Sequence, residues 1–471
     1  MNVKSGEMAN DFNAIAKPGA LVVFSDLPTA LEKLVFELAD RGTLEIYGDS
    51  LSAAWWRIGG KGVRLTGLQG YGASNWDLFR TVEFWHLLTE ICKGADTSPA
   101  STPGATALRI VAGTSPYQIT SPGERIQNFA NASFSAGARH SKPGHYKEAF
   151  LYDLHSAFPF VMKKSLPFGA GYRSSRDVDF FVATVTFDYR SQLDFSPLWV
   201  RASDSKVYHP HTAKNVTLTL NSIDLATLER HGDLKIQHME NRMAFDCEPL
   251  LEPAQTYLAV WQSQYPQFRH QIKILRNSIY GKLAQQSTQK RYVLRRIKDI
   301  RDKEETKNLM LDYNGFEFGL FRHISTSKPF VHFPVASAIT AHVRSMVYDA
   351  LDKNSIAVRT DAILSKRKRS DLNFGKNDGQ WDVKEHGEAI VFGDSGFKVA
   401  NVPHMDGVQD LRDGIAQTQR RAKFAFGEQS QLVEWTPGIE SKTTATARGM
   451  ELTVQRGKQK EHLKLKIARG L

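Results

Sequence analysis

The chain has 471 residues, two cysteines and a formal net charge of +11 at pH 7, with 41% hydrophobic and 24% charged residues. That is the composition of an ordinary soluble globular protein, long enough for two to four domains. Two cysteines far apart, Cys92 and Cys247, exclude a disulfide framework and a cysteine zinc cluster, and the excess of cations favours an anionic partner, nucleic acid first and membrane surface second.

A reducing cytoplasm is the expected setting. The segment Met1–Glu7 has no apolar signal core, and no apolar run reaches membrane-spanning length, so no membrane partner is expected. Residues 1–16 are polar. Gly19–Asp26 reads as a strand entering a turn, Pro28–Asp40 as an amphipathic helix with Leu31, Leu34, Val35 and Leu38 on one face, and Thr43–Asp49 as a second strand. The start is therefore α/β. Glycine-rich residues 58–76 suit a hairpin, Asp77–Cys92 an aromatic-rich helix, and small-residue segment 94–106 a linker near a domain boundary.

Phe134–His140 sets small residues beside Arg139, which lets backbone approach a phosphate chain, although residue chemistry alone favours an ordinary connector. Ala149–Leu151 reads as the edge of a buried strand that delivers Asp153, and Pro159 stops the sheet beyond the turn. A strand-end carboxylate, a tight polar turn and an aromatic ring suit a metal-bound phosphate. Taken alone, a turn former or helix cap is the commoner reading of such an acid. Phe180–Phe187 and Val216–Leu220 read as strands, and Ser222–Arg230 as a short helix capped by Ser222.

From Glu252 to Gln289 the pattern is helical, and Arg269, Lys273, Asn277 and Tyr280 share one face, while Ile272, Leu275 and Ile279 share another. Two cations, an amide and a phenol suit a triphosphate and its base; a solvated charged stripe is the alternative, and it also fits Arg276. Gly281 is expected to end or bend this helix. The charged segment 282–307 reads either as a solvated helix or strand pair or as contact with nucleic-acid backbone. Phe330–Leu351 is helical, with Ile339, Val343, Met346, Val347 and Ala350 on an apolar face. Ser355–Leu364 then reads as a hairpin with Asp361 at its tip, and Val383–Val402 as further hairpins. The last fifty residues are basic and suit helices plus a hairpin facing a polyanion. Asp153 and Asp361, converging on a pair of Mg²⁺ ions, would meet the requirement of nucleotidyl transfer.

These stretches resemble the family B DNA polymerases. Asp153-Leu154-His155-Ser156-Ala157-Phe158-Pro159 is similar to motif A, D-x-x-S-L-Y-P. Lys273-Ile274-Leu275-Arg276-Asn277-Ser278-Ile279-Tyr280-Gly281 matches K-x-x-x-N-S-x-Y-G, motif B, at every defined position, and Thr360-Asp361 resembles the second half of motif C, Y-x-D-T-D. The small residues at 134–139 resemble the Y-x-G-G/A linker of the phage and plasmid protein-primed type. The likeness spans about residues 130–400.

The resemblance implies that Asp153 and Asp361, with the backbone carbonyl of Leu154, bind two Mg²⁺ ions, for which Mn²⁺ can substitute. It implies nucleotide binding by Ser156, Phe158 (the steric gate, usually Tyr), Arg269, Lys273, Asn277 and Tyr280. DNA binding is implied for Gly137, Arg139, Ser278, Gly281, Thr360 and Lys398. One departure stands out: Arg359 occupies the place of the first motif C acid.

The implied fold is α+β, a right hand of palm, fingers and thumb behind a reduced N-terminal exonuclease-like α/β domain. Its expected parts are 1–130 (exonuclease-like, reduced or inactive, since Ser25-Asp26-Leu27 stands where D-x-E would, with an unrelated accessory domain as the alternative), 131–251 (palm), 252–329 (fingers), 330–402 (palm) and 403–471 (basic thumb). The expected function is a template-directed DNA polymerase without proofreading, replicating a phage, plasmid or mobile element in the cytoplasm of a bacterial host. It would act as a monomer on primed DNA and dNTPs, with a terminal protein as a candidate primer. The alternatives are a primase-like or untemplated nucleotidyl transferase, and a catalytically degenerate nucleic-acid-binding replication protein.

Overall fold

The computed structural model describes residues 16–17, 19–47, 52–58, 60–142, 144–176, 178–201, 207–285, 290–297, 309–313, 315–324, 330–391, 397–400, 451–456 and 459–464. The chain divides into two compact units, one of Met1–Thr114, Tyr257–Phe330 and Glu434–Leu471, the other of Ser115–Thr256 and Val331–Val433.

The first unit holds a mixed seven-stranded sheet in the order Leu21–Phe24, Lys61–Gly67, Ala53–Ile58, Thr43–Tyr47, Lys290–Arg296, Phe316–Ile324, Leu309–Tyr313. Helix Leu27–Arg41 covers it, capped by Asp26, whose carboxylate accepts from Thr29 N at 3.2 Å. Its Leu27, Leu31, Val35 and Leu38 share a core with Trp56, Leu65, Leu294 and Phe318. A hairpin forms between Ala53–Ile58 and Lys61–Gly67, earlier than the expected 58–76, where Gln69–Tyr71 is instead a short helical turn. Strand Lys290–Arg296 pairs with Thr43–Tyr47, so part of the charged 282–307 segment is sheet; residues 298–308 lie outside the described residues.

The predicted helix from Glu252 to Gln289 is two helices, Glu252–Gln264 and Arg269–Leu283. Pro266 interrupts them, because it lacks the N–H that would continue the helical ladder. Gly281 does not end the second helix, which runs on to Leu283. Arg276 does not belong to a solvated stripe. It is 4% exposed and donates to Gln262 Oε1 at 2.7 Å.

The second unit is built on a six-stranded antiparallel sheet in the order Phe397–Ala400, Trp381–Val391, Gly144–Leu154, Ala362–Ser365, Ser355–Thr360, Ala138–Ser141. A separate four-stranded sheet joins Leu166–Arg173, Phe180–Ser191, Thr212–Asn221 and Gly232–Glu248. Helix Phe333–Asp349 is buried on nearly every side, not on the one apolar face expected. Its one charged residue with no exposed surface to speak of, Arg344, is matched by Asp224 in a doubly hydrogen-bonded ion pair, Nη2 to Oδ1 at 2.8 Å and to Oδ2 at 2.7 Å. The helix Ser222–Arg230 is capped by Asn221 rather than Ser222: the Asn221 amide oxygen accepts from Asp224 N at 2.8 Å. The C-terminal hairpin Glu451–Arg456 with Gln459–Lys464 is present, and residues 401–450 lie outside the described residues.

Candidate active site

Strand Gly144–Leu154 carries Asp153 one residue before its end. Its neighbour Ala362–Ser365 begins with Ala362 opposite Asp153. Asp361, immediately before Ala362, therefore comes to the same end of the sheet. Two backbone bonds hold it there: Leu154 N–H donates to the Asp361 carbonyl at 2.9 Å, and Asp361 N–H donates to the Arg359 carbonyl at 2.8 Å. Both acids are half-buried and border a cavity of about 540 Å³, together with Arg359, Thr360 and Glu385.

The turn at the hairpin tip is tight. Thr360 has φ of 61°, a left-handed conformation that a β-branched residue rarely adopts. Gly137 passes directly behind it: a Cβ at Gly137 would lie 2.6 Å from Thr360 Cγ2 and 2.9 Å from its Cα. Glycine is required here for the close approach of two backbones. The loop before Gly137 is fixed from within, because Arg344 Nη1 donates to the carbonyls of Ser135 at 2.5 Å and Ala136 at 3.0 Å.

Beyond Asp153 the backbone turns sharply, with Ser156 at φ 50°. His155 N–H donates to the Gln380 carbonyl at 2.7 Å, and the His155 carbonyl accepts from Gly379 N–H at 2.7 Å. Short helix Ala157–Val161 follows and buries Phe158; Pro159 lies inside that helix.

Cross-strand register places a row of residues on one face of the sheet. Asp382 is opposite Asp153, Asp153 opposite Ala362, Ala362 opposite Arg359, and Arg359 opposite Arg139. The row runs from two acids to two cations. A bulge between Val383 and Glu385 sets Lys384 beside the acids, with its Nζ 2.9 Å from Asp382 Oδ2 and 4.0 Å from Asp153 Oδ2. The hydrogen bond from Lys384 holds the Asp382 carboxyl below the usual carboxylate range, against the opposing effect of burial. Sequence reading missed Asp382, Lys384 and Glu385. The alternation Asp382-Val383-Lys384-Glu385 shows a strand but says nothing of which strand it meets.

The residues expected to bind nucleotide and DNA divide between the two units. Arg269, Lys273, Asn277 and Tyr280 lie on helix Arg269–Leu283 in the first, with Arg269 and Lys273 exposed and Asn277 and Tyr280 half-buried. Ser278 turns its hydroxyl to the Ile274 carbonyl at 2.6 Å, and Gly281 is exposed with nothing near its Cα substituent position. Ser156, Phe158, Gly137, Arg139 and Thr360 lie with the two acids in the second unit. Lys398 is on strand Phe397–Ala400, opposite Ile390.

The donor set suits a hard divalent cation. Two carboxylates at adjacent strand ends could supply oxygen ligands, and Mg²⁺ is commonly held by one or two carboxylates plus substrate phosphates. Among the described residues no group of three or more His, Cys, Asp or Glu is placed to hold a metal ion, so any cation here would rest on the two carboxylates and its substrate.

No protein-family model matches this sequence, and no curated protein matches it. Solved structures do. The chain is similar to phi29 DNA polymerase in an orthorhombic crystal form, with TM-score 0.57, 14% identity, and 84% of each chain covered. It is likewise similar to phi29 DNA polymerase complexed with primer-template DNA and incoming nucleotide substrates, with TM-score 0.58, 14% identity, and 85% of this chain and 87% of that one covered. The chain has a polymerase-like fold. No helix among its described residues is long and apolar enough to cross a membrane.

Proposed function

We propose that this protein is a template-directed DNA polymerase that adds dNTPs to a 3′-hydroxyl. The observation that carries the reading is the pairing of Asp153 and Asp361 at adjacent strand ends, closed by the Leu154–Asp361 backbone bond, in a fold similar to a DNA polymerase. In this reading Asp153, Asp361 and the Leu154 carbonyl hold two Mg²⁺ ions. When bound, such ions activate the attacking hydroxyl and neutralise the departing pyrophosphate.

The chain's own groups do the rest. Arg269 and Lys273 meet the triphosphate with positive charge, Asn277 stands beside it, and Tyr280 lines the nascent base pair. Ser156 lies against the nucleotide, and the Phe158 ring excludes a 2′-hydroxyl under the sugar. Gly137, Arg139, Ser278, Gly281, Thr360 and Lys398 contact the DNA. Residues 131–251 and 330–402 act as palm, 252–329 as fingers, 403–471 as thumb, and 1–130 as an exonuclease-like domain without activity. The enzyme works as a monomer in the cytoplasm of a bacterial host on a phage, plasmid or mobile element, with a terminal protein as a candidate primer.

The test is extension of a labelled primer on a DNA template with Mg²⁺. Wild type extends it in template order, and Asp153→Asn and Asp361→Asn each reduce extension to background while DNA affinity persists. Extension unchanged by either substitution would sink the reading. Arg359, a cation in place of an acid, favours a second reading, a non-catalytic DNA-binding replication protein; wild-type protein that binds primed DNA without extending it would decide for that one. Incorporation that needs no template would instead indicate an untemplated transferase.

A further inference from the structure

Two arginines stand on neighbouring strands beside the acid pair. Arg359 and Arg139 are directly opposite in register, and both are exposed. Like charges in that position repel and weaken a sheet. Three arginines of this unit are neutralised by carboxylates, Arg344 by Asp224, Arg369 by Asp371 and Arg230 by Asp349, while several exposed ones among the described residues are not. Among the described residues neither Arg139 nor Arg359 makes an ion pair with a carboxylate. The arrangement is also held by backbone. The Asp361–Arg359 hydrogen bond, the left-handed Thr360 and the Gly137 approach together set the register that brings the two arginines side by side. A repulsive pair fixed this firmly is best explained by a ligand carrying negative charge on closely spaced oxygens.

From this geometry we infer that Arg359 and Arg139 jointly clamp one phosphate of the primer strand. The inference rests on the polymerase reading. Strands lie about 4.8 Å apart, so the Arg359 backbone is about 10 Å from that of Asp153, two strands along the same row. A duplex strand advances about 3.4 Å per nucleotide, which sets the clamped phosphate about one to three nucleotides behind the reacting end. Planar guanidinium forks suit bidentate phosphate binding, and two forks divide the oxygens of a single group. Arg359 is thus a primer-positioning residue, in a place where the resemblance leads one to expect an acid.

The experiment measures binding of a fluorescein-labelled primer-template to the full chain by anisotropy over a salt series, without divalent ions. Arg359→Gln and Arg139→Gln each weaken binding by about tenfold at low salt. The slope of log affinity against log salt falls by less than one for either variant, because the remaining arginine still neutralises the shared phosphate. Because one phosphate is shared, the double variant loses about one. Thermal midpoints stay at the wild-type value or rise slightly, since removing either charge relieves the cross-strand repulsion. A second arm measures the KM for dNTP at saturating primer-template, which is unchanged. Unaltered affinity and slope in both variants overturn the proposal. So does a raised dNTP KM with unaltered DNA affinity, which moves the arginines to the incoming triphosphate, and so does a double variant that loses about two in slope, which means separate phosphates. Wild-type protein that binds the duplex but does not extend it removes the polymerase reading and leaves the phosphate clamp to be judged from binding alone.

Discussion

The backbone N–H of Leu154 donates to the carbonyl of Asp361 over 2.9 Å, which ties together two acids separated by more than two hundred positions in the chain. This one bond closes the end of the sheet where Asp153 and Asp361 emerge. It depends on the Asp361 backbone being turned by the strained residue before it. The support behind that residue is therefore the first place to test.

Gly137→Ala is expected to impair extension more than stability. Its new methyl would meet Thr360 backbone and side chain at 2.9 Å and 2.6 Å, and backbone yields only by displacing the turn that carries Asp361. We expect a fall in kcat of about tenfold or more, with a stability cost of about 1–3 kcal/mol. Primer extension alongside urea denaturation checks this. A variant with wild-type kcat would show that the turn tolerates displacement.

Arg344→Met is expected to destabilise the second unit by about 3–5 kcal/mol. The substitution leaves the Asp224 carboxylate, 8% exposed, without its charge partner, and the Ser135 and Ala136 carbonyls without their donor. Removing both charges, as in Arg344→Met with Asp224→Leu, should restore much of the loss, because a paired buried charge contributes less than an unpaired one costs. Equal losses in the single and double variants would contradict this account.

Lys384→Ala is expected to lower the Mg²⁺ concentration needed for half-maximal extension by about threefold at low salt. A cation 4.0 Å from Asp153 opposes a second cation there, though at 40% exposure its effect is only about 1 kcal/mol or less. Added salt should shrink the difference. A higher Mg²⁺ requirement would instead mark Lys384 as a group that orients Asp153.

Stability should fall as pH drops below neutral. Burial pushes His332 down to about 4 from the ordinary 6.5, and burial does the same to His342, with a smaller effect from the Lys164 charge. His209 is brought to about 4 by burial first, and His140 to about 3 by burial and then the charges of His209 and His211. The folded values lie below the unfolded one, so the unfolded chain takes up protons first as pH falls. The contribution is fully present above about 6.5 and is lost between there and about 4, at about 1.4 kcal/mol per pH unit for His332. His332 adds a structural reason: its Nδ1 accepts from Val335 N at 3.4 Å to cap helix Phe333–Asp349, and protonation removes that acceptor. Denaturation midpoints at pH 7 and pH 5 test it; His332→Asn, which keeps a cap without titrating in this range, should flatten part of the slope.

Local pattern carried a good deal of this protein. The alternation around Asp361 specified a hairpin with the acid at its tip, and the spacing of Arg269, Lys273, Asn277 and Tyr280 specified a shared helix face, because period and propensity are properties of neighbouring residues. Short-range patterns also misled. Arg276 looked solvated and is buried against Gln262, and Ser222 looked like a cap next to Asn221, which holds that place. Strand Lys290–Arg296 lies beside Thr43–Tyr47 with no local signal to announce it. The row Asp382, Asp153, Ala362, Arg359, Arg139 belongs to the same class. Each strand can be read from its own sequence, but register between distant strands is decided by which buried faces close on one another, and only the folded chain makes that choice.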